Sequence, residues 1–251
     1  KTAYEIMPSL VGSEMCIRDS HKVRLLEGGT PGSIPWDAYD VDLIIDTTGV
    51  YRTREELQPH IDAGANRVFV TKPPKDQIDR IIIKGINETT IESSDKIIST
   101  TSATTQVLAL MLKVLDDAFG VKQAMMTTVH AYTSDQPLAD AVRSDLRRSR
   151  SAVENIIPNE TPSTRLVEAL FPHLKGKVSG TAFNVPVADG SCVDLTTEHE
   201  SLPSVEDVNG VMKTWAEGSL SDIVAYTEDP IVSSDVIGRQ ETMVFDQKAT
   251  I

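Results

Sequence analysis

The chain has 251 residues and a formal net charge of −13, with 40% hydrophobic and 24% charged residues, enough for a substantial core in one or two domains. The acidity argues against a nucleic-acid face, and no run reaches the ~20 apolar residues of a membrane-spanning helix, so neither nucleic acid nor a membrane is an expected partner. Two cysteines, Cys16 and Cys192, are too few for a disulfide framework and lack metal-site spacing; no metal is expected, and a reducing cytoplasm is the expected setting.

Residues 1–20 fit nothing that follows and have neither the charged start nor the long apolar run of a signal peptide. They resemble translated sequencing-adapter read-through and are expected to be foreign. From His21 onward, strands alternate with helices. Residues 23–26 read as a short strand, 41–46 as a strand buried in a parallel sheet, 52–65 as a helix stopped near Gly64, and 67–71 as the next strand. Such β-α units place ligands at the carboxyl ends of their strands, here Thr47-Thr-Gly49 and Thr71-Lys-Pro73.

Residues 96–100 form a further strand, ending in the hydroxyl run Ser99-Thr-Thr-Ser102. Ala103 then opens an amphipathic helix carrying Val107, Leu108, Met111, Leu112, Leu115 and Phe119, which Gly120 stops. A second strand, 121–133, carries His130 near its end. A helix N-terminus, with unpaired N–H groups and partial positive charge, could thus converge with an imidazole on one pocket. Taken singly, the hydroxyls read as caps and His130 as a hydrogen-bonded core histidine.

Residues 134–150 lack periodicity and hold a basic cluster, Arg147-Arg-Ser-Arg150. Helices are expected over 163–171 and over 204–218 with Ser204 as cap, and strands over 178–187, 191–198, 223–227 and 242–245. Cys192 is expected to pack as a small buried hydrophobe.

These segments resemble the phosphorylating glyceraldehyde-3-phosphate dehydrogenases. Ser99-Thr-Thr-Ser-Ala-Thr-Thr-Gln106 is similar to the family's S-N-A-S-C-T-T-N, and Met126-Thr-Thr-Val-His-Ala-Tyr-Thr133 repeats its histidine motif without a change. The likeness continues through Asn155-Ile-Ile-Pro158, Gly176-Lys-Val-Ser-Gly180, Val193-Asp-Leu-Thr196 and Tyr226-Thr-Glu-Asp-Pro230, covering nearly everything from His21 to Ile251.

The resemblance implies an α/β chain: an incomplete doubly wound parallel (Rossmann-type) dinucleotide domain over 21–101, then an α+β catalytic domain with a mainly antiparallel sheet over 102–251. It implies NAD or NADP contacted by Thr48, Gly49 and Thr71. No G-x-G-x-x-G follows a strand, so the chain is expected to be truncated at both ends and to bind the cofactor weakly. The implied substrates are a small phosphorylated aldehyde and inorganic phosphate, in a homotetramer when full length.

His130 is the implied base, and Ser102, Thr104, Thr133, Asp135, Arg148 and Thr161 the implied substrate and phosphate contacts. Three positions depart from the pattern. Ala103 stands at the nucleophilic cysteine, Asn184 at an arginine of the substrate-phosphate side, and Pro162 at a glycine that would offer its N–H. The expectation is a family member of glycolysis-type metabolism that is inactive or severely impaired, the alternatives being a non-catalytic ligand-binding or interaction paralogue, or a gene fragment.

Overall fold

The computed structural model describes residues 14–17, 21–24, 26 and 28–251. The chain divides into two compact units, residues 1–81 with 91–100, and residues 82–90 with 101–251. The excursion 82–90, expected with the first unit, clusters with the second because Ile83 is buried among Leu108, Leu112 and Leu174. Gly85, at φ +85°, leaves only enough room for a hydrogen beside Leu220 and Ile223.

In the first unit β1 (Glu14–Ile17) pairs antiparallel with β2 (His21–Arg24); residues 14–17, set apart in the sequence reading, are thus joined to the strand that follows. The main sheet contains β3 (Leu43–Asp46), β4 (Arg67–Val70), β5 (Arg80–Ile81) and β6 (Ile97–Ser99), in the order β3-β4-β6-β5. All of its pairings are parallel. α1 (Arg54–Asp62) crosses between β3 and β4, started by a capping box in which Thr53 accepts from the Glu56 N–H and Glu56 reaches back. Its Leu57 packs into Val68, Val70, Ile78 and Ile97. β3 was expected to be buried. It is an edge strand with Leu43 and Ile45 exposed, so its apolar run has no partner on one face among the described residues.

His60, on α1, is buried, and its Nδ1 accepts the indole N–H of Trp36 at 3.1 Å. Burial pushes its pKa down, partly opposed by the Asp46 carboxylate. A protonated Nδ1 could not accept that bond. Because the folded-state pKa lies below the unfolded one, the stability linked to His60 is complete above about pH 6.5 and is lost as the pH falls below that value. Urea midpoints should therefore drop on going from about pH 7.5 to 5, and His60→Gln should flatten that part of the profile; an unchanged slope in the variant would count against this role.

The second unit is built on α2 (Ala103–Phe119), which Gly120 ends and β7 (Val121–Ala131) follows. Next come β8 (Ile157–Asn159), α3 (Ser163–Leu170), β9 (Val178–Val185), β10 (Cys192–His199), α4 (Val205–Glu217), β11 (Val224–Thr227) and β12 (Met243–Asp246). The sheet order is β10-β7-β9-β8. Its two outer pairings are antiparallel, and the central β7–β9 pairing is parallel. β11 and β12 form a separate parallel pair.

The sequence pattern gave α2 one apolar face, whereas the helix is buried on two. Leu108, Leu112 and Leu115 join Val121, Ala124, Met126, Val167 and Val178 in one core. Leu110 and Val114 join Met212, Ala216, Leu220 and Met243 in another. A helix apolar almost all round belongs in an interior. Cys192 departs from expectation as well. It is exposed, because the alternation of β10 turns it to the face opposite α2, and partial desolvation with Asp194 and Asp246 raises its thiol pKa.

Candidate active site

α2 starts at Ala103 because Ser102, in extended conformation, caps it; Ser102 Oγ accepts from the Thr105 N–H at 3.2 Å. Thr101, one residue earlier, has φ +62°. For a β-branched residue that conformation costs on the order of 1–2 kcal/mol. Ala103 is therefore the first helical residue, and Thr104, buried beside it, belongs to the turn whose N–H groups have no intrahelical acceptor.

α2 and β7 turn back on each other at Gly120 and share a core. Measured from that turn, Ala103 lies about 24 Å along the helix and His130 about 30 Å along the strand, so both reach the same end of the unit. The alternation of buried Ala124, Met126 and Thr128 with exposed Met125 and Val129 places His130 on the face that α2 covers. His130 Nδ1 lies 2.7 Å from the carbonyl oxygen of Ala131. A carbonyl only accepts, so in the neutral ring Nδ1 carries the proton and Nε2 the lone pair.

Asn184 on β9 is in register with His130 and therefore on the same face. It is 7% exposed. Its Nδ2 donates to the Ala131 carbonyl at 3.3 Å, and its Oδ1 accepts from Asn159 Nδ2 at 3.3 Å.

Thr133, Asp135 and Arg148 meet in one cluster. The Thr133 hydroxyl donates to the Asp135 carboxylate, the Arg148 guanidinium pairs with the same carboxylate, and Arg143 donates to the Asp135 backbone oxygen. Partial burial alone would raise the Asp135 carboxyl, but Thr133 and Arg148 outweigh it and hold the group below its ordinary value. The basic cluster 147–150 is thus largely neutralised locally, with Arg150 paired to Asp140 at 2.9 Å.

Thr161 reaches the start of α2 through hydroxyls. Thr161 Oγ1 lies 3.0 Å from Ser163 Oγ, Ser163 Oγ 3.0 Å from Thr105 Oγ1, and Thr105 Oγ1 2.8 Å from Ser102 Oγ. Thr161 also accepts the Ser163 N–H at 3.2 Å, doing for α3 what its N-cap Pro162 cannot. Thr105, Ser163 and Asn159 did not emerge from the sequence. Thr105 sits in a hydroxyl-rich run that could have raised it, but Ser163 and Asn159 carry no sequence signal. Gln136 was missed too; its Oε1 accepts from the Thr133 N–H at 3.1 Å, while its buried Nε2 has no partner among the described residues.

In the first unit, Asp46 pairs with Val70 and Val70 with Ser99 in register, so the turns after β3, β4 and β6 leave the sheet at one edge. Thr48 donates its hydroxyl to Asp46 Oδ1 at 2.7 Å, and Thr71 donates to the Asp46 backbone oxygen at 3.2 Å. Gly49 takes φ +71° with Lys72 packed against it.

A parallel α/β unit is followed by a mixed-sheet unit whose central helix starts beside a histidine-bearing strand. The family model described as glyceraldehyde 3-phosphate dehydrogenase, C-terminal domain, matches residues 102–251. A glyceraldehyde-3-phosphate dehydrogenase of Mycobacterium avium is 40% identical over 243 residues, covering 96% of this chain and 71% of the relative. One from Mycolicibacterium smegmatis is similar to the same extent, and glyceraldehyde-3-phosphate dehydrogenase 2 of Streptomyces avermitilis is 39% identical, covering 93% of this chain and 70% of its own. The chain belongs to the glyceraldehyde 3-phosphate dehydrogenase family.

Proposed function

We propose that this protein keeps the frame of its family's active site and does not perform the covalent step, acting in glycolysis-type carbon metabolism as a non-turnover oxidoreductase relative. The observation that carries the reading is Ala103 at the first position of α2. In the family reaction a thiolate there would add to an aldehyde, with the histidine as its base. His130 presents Nε2 with a free lone pair, but a methyl group has no proton to give up and no lone pair to add. Loss of a covalent nucleophile costs on the order of a millionfold in a well-studied enzyme, about 8 kcal/mol of barrier.

The remaining roles follow the same frame. Ser102, Thr104, Arg148 and Thr161 would face inorganic phosphate, and Thr133 and Asp135 the substrate's far end. The hydroxyl chain from Ser102 to Thr161 supports a shared location for the helix start and Thr161. The exposed apolar residues of the 134–150 loop, Leu138, Val142 and Leu146, suit a subunit interface in a homotetramer. The exposed Cys192 thiol suits a reducing cytoplasm.

A nicotinamide dinucleotide fits the first unit at one edge only. The Gly49 turn follows β3 directly, and at the strand's carboxyl end the buried Asp46 Oδ2 has no partner among the described residues. Thr48, Gly49 and Thr71 would hold the cofactor there, and when bound it would supply a hydride acceptor. No G-x-G-x-x-G lies in these 251 residues, so nothing in the sequence provides the backbone cradle for a pyrophosphate. Calorimetric titration of this polypeptide with NAD should therefore give a Kd above about 1 mM, corresponding to less than about 4 kcal/mol of binding; low-micromolar binding would sink this part of the reading.

A further inference from the structure

Residues 28–41 precede β3 and strap across the C-terminal end of α1. The N–H groups of Trp36 and Asp37 both donate to the Ala63 carbonyl, at 2.8 and 3.4 Å, satisfying an acceptor that the helix end leaves open. Gly64, at φ +106°, has no room for a side chain beneath Asp37, and Gly32 lies against Pro59. Tyr51 ties down the start of the strap by donating its hydroxyl to the Gly29 carbonyl at 3.3 Å. The side-chain fastening to α1 is the Trp36 indole N–H, which His60 Nδ1 accepts at 3.1 Å, with the ring centroids 5.8 Å apart.

The direction of that bond fixes the proton. An indole N–H only donates, so Nδ1 carries the lone pair and Nε2 the hydrogen. A proton added at Nδ1 sets donor against donor. At 8% exposure the resulting imidazolium cannot be solvated while the strap stays seated.

The charges around His60 are few. Arg54, Glu55 and Glu56 belong to the first turn of α1 and His60 to its last. Asp62 takes the Gln58 amide, Asp37 the Ala38 N–H, and Arg67 on β4 is spent on the carbonyls of Asp95 and Glu92. Residues 28–35 and β6 carry no charge. That leaves Asp46 on β3, whose carboxylate favours the charged ring and whose buried Oδ2 has no partner among the described residues.

We propose that Trp36 and His60 form an acid-sensitive latch, which holds the strap 28–41 on α1 while His60 is neutral and opens it locally when His60 takes a proton. Burial lowers the His60 pKa, with Asp46 partly opposing it, so the latch is fully closed above about pH 6.5 and opens as the pH falls below that value.

The test follows indole and amide resonances by 1H–15N correlation in the intact chain from about pH 7.5 to 5. The Trp36 indole should move in one step, with a midpoint below about 6.5. Over the same step the exchange protection of the Trp36 and Asp37 amides, corrected for intrinsic rates, should fall about tenfold. The indole of Trp215, in the second unit, should stay in place. His60→Asn, whose Oδ1 stands near the place of Nδ1 and accepts at every pH, should abolish the step and keep the protection. Asp46→Asn should move the midpoint lower, because it removes the charge that favours the imidazolium. Trp36→Phe keeps a ring in the strap without the indole N–H, so its Asp37 amide should have the same protection at both pH values. The proposal is overturned if the Trp36 indole does not titrate, if the step survives in His60→Asn, or if the midpoint rises in Asp46→Asn. It is overturned equally by a tenfold loss of Asp37 protection in Trp36→Phe, or by a Trp215 indole that moves with the same midpoint, which would make the opening global.

Discussion

Ala103→Cys should produce a thiol that reacts with iodoacetamide about ten times faster at pH 7 than Cys192 in the same molecule, because a depressed pKa multiplies the thiolate fraction. The first position of a 17-residue helix combines unpaired N–H groups with roughly half a positive charge. Both stabilise a thiolate, and a protonated His130 on the face that α2 covers would add to them. Thiols in such settings titrate at about 3.5–7.5 in place of about 8.5. At pH 7 that raises the thiolate from about 3% to between about a quarter and nearly all of the thiol.

Cys192 is a built-in reference, since partial burial and the carboxylates of Asp194 and Asp246 push its pKa upward. Mass spectrometry of each peptide over time gives both rates from one sample. Adding His130→Gln to Ala103→Cys should slow the new thiol and leave Cys192 unchanged. A new thiol no faster than Cys192 would mean that the start of α2 and His130 do not share a site.

Leu112→Ala and Leu110→Ala should each cost about 2–5 kcal/mol in denaturant unfolding, although they lie on opposite sides of one helix. Both side chains are fully buried. Leu112 packs toward β7, β9 and α3, Leu110 toward α4, β11 and β12. Truncating either leaves a cavity that a sheet on one side and a helix on the other can fill only in part. Val142→Ala, at a fully exposed side chain of the 134–150 loop, should stay within about 0.5 kcal/mol. A loss below about 1 kcal/mol for Leu110→Ala would show that α4 does not pack on α2 as described, because full burial of a leucine is worth more than that.

The parts of the fold that local chemistry dictates were legible in the sequence. Ser204 caps a helix as its residue type directs, Gly120 ends α2, and the alternation in 121–131 marks a strand, whereas Thr53, read as lying inside a helix from residue 52, is the cap of α1. The burial of α2 on two sides was not legible, because its second core depends on Met212, Leu220 and Met243, about a hundred residues or more away in the chain. Edge position was equally hidden. Val41-Asp-Leu-Ile-Ile-Asp46 has the composition of a central strand, yet the order of the sheet puts it at an edge, with Leu43 and Ile45 exposed on one face.

The candidate site divides in the same way. His130 and the α2 start could be found from motifs, since their residue types and spacing are local. The inward turn of Asn184 requires Asn159, 25 residues earlier, and the hydroxyl link to Thr161 requires Ser163, 58 residues after Thr105. Those are tertiary contacts between polar residues whose types are common and whose spacing carries no period.

The central claim is that a family site with Ala103 at its nucleophile position does not turn over. The most direct measurement is NAD reduction at 340 nm by the chain, supplied with saturating NAD, D-glyceraldehyde 3-phosphate and inorganic phosphate, beside an active relative as control. The expected result is a rate at background, on the order of a millionfold below the control, and unaltered by His130→Gln. A phosphate-dependent rate within about a thousandfold of the control, abolished by His130→Gln, would contradict the claim and show that another group of this site does the work assigned to the missing thiol.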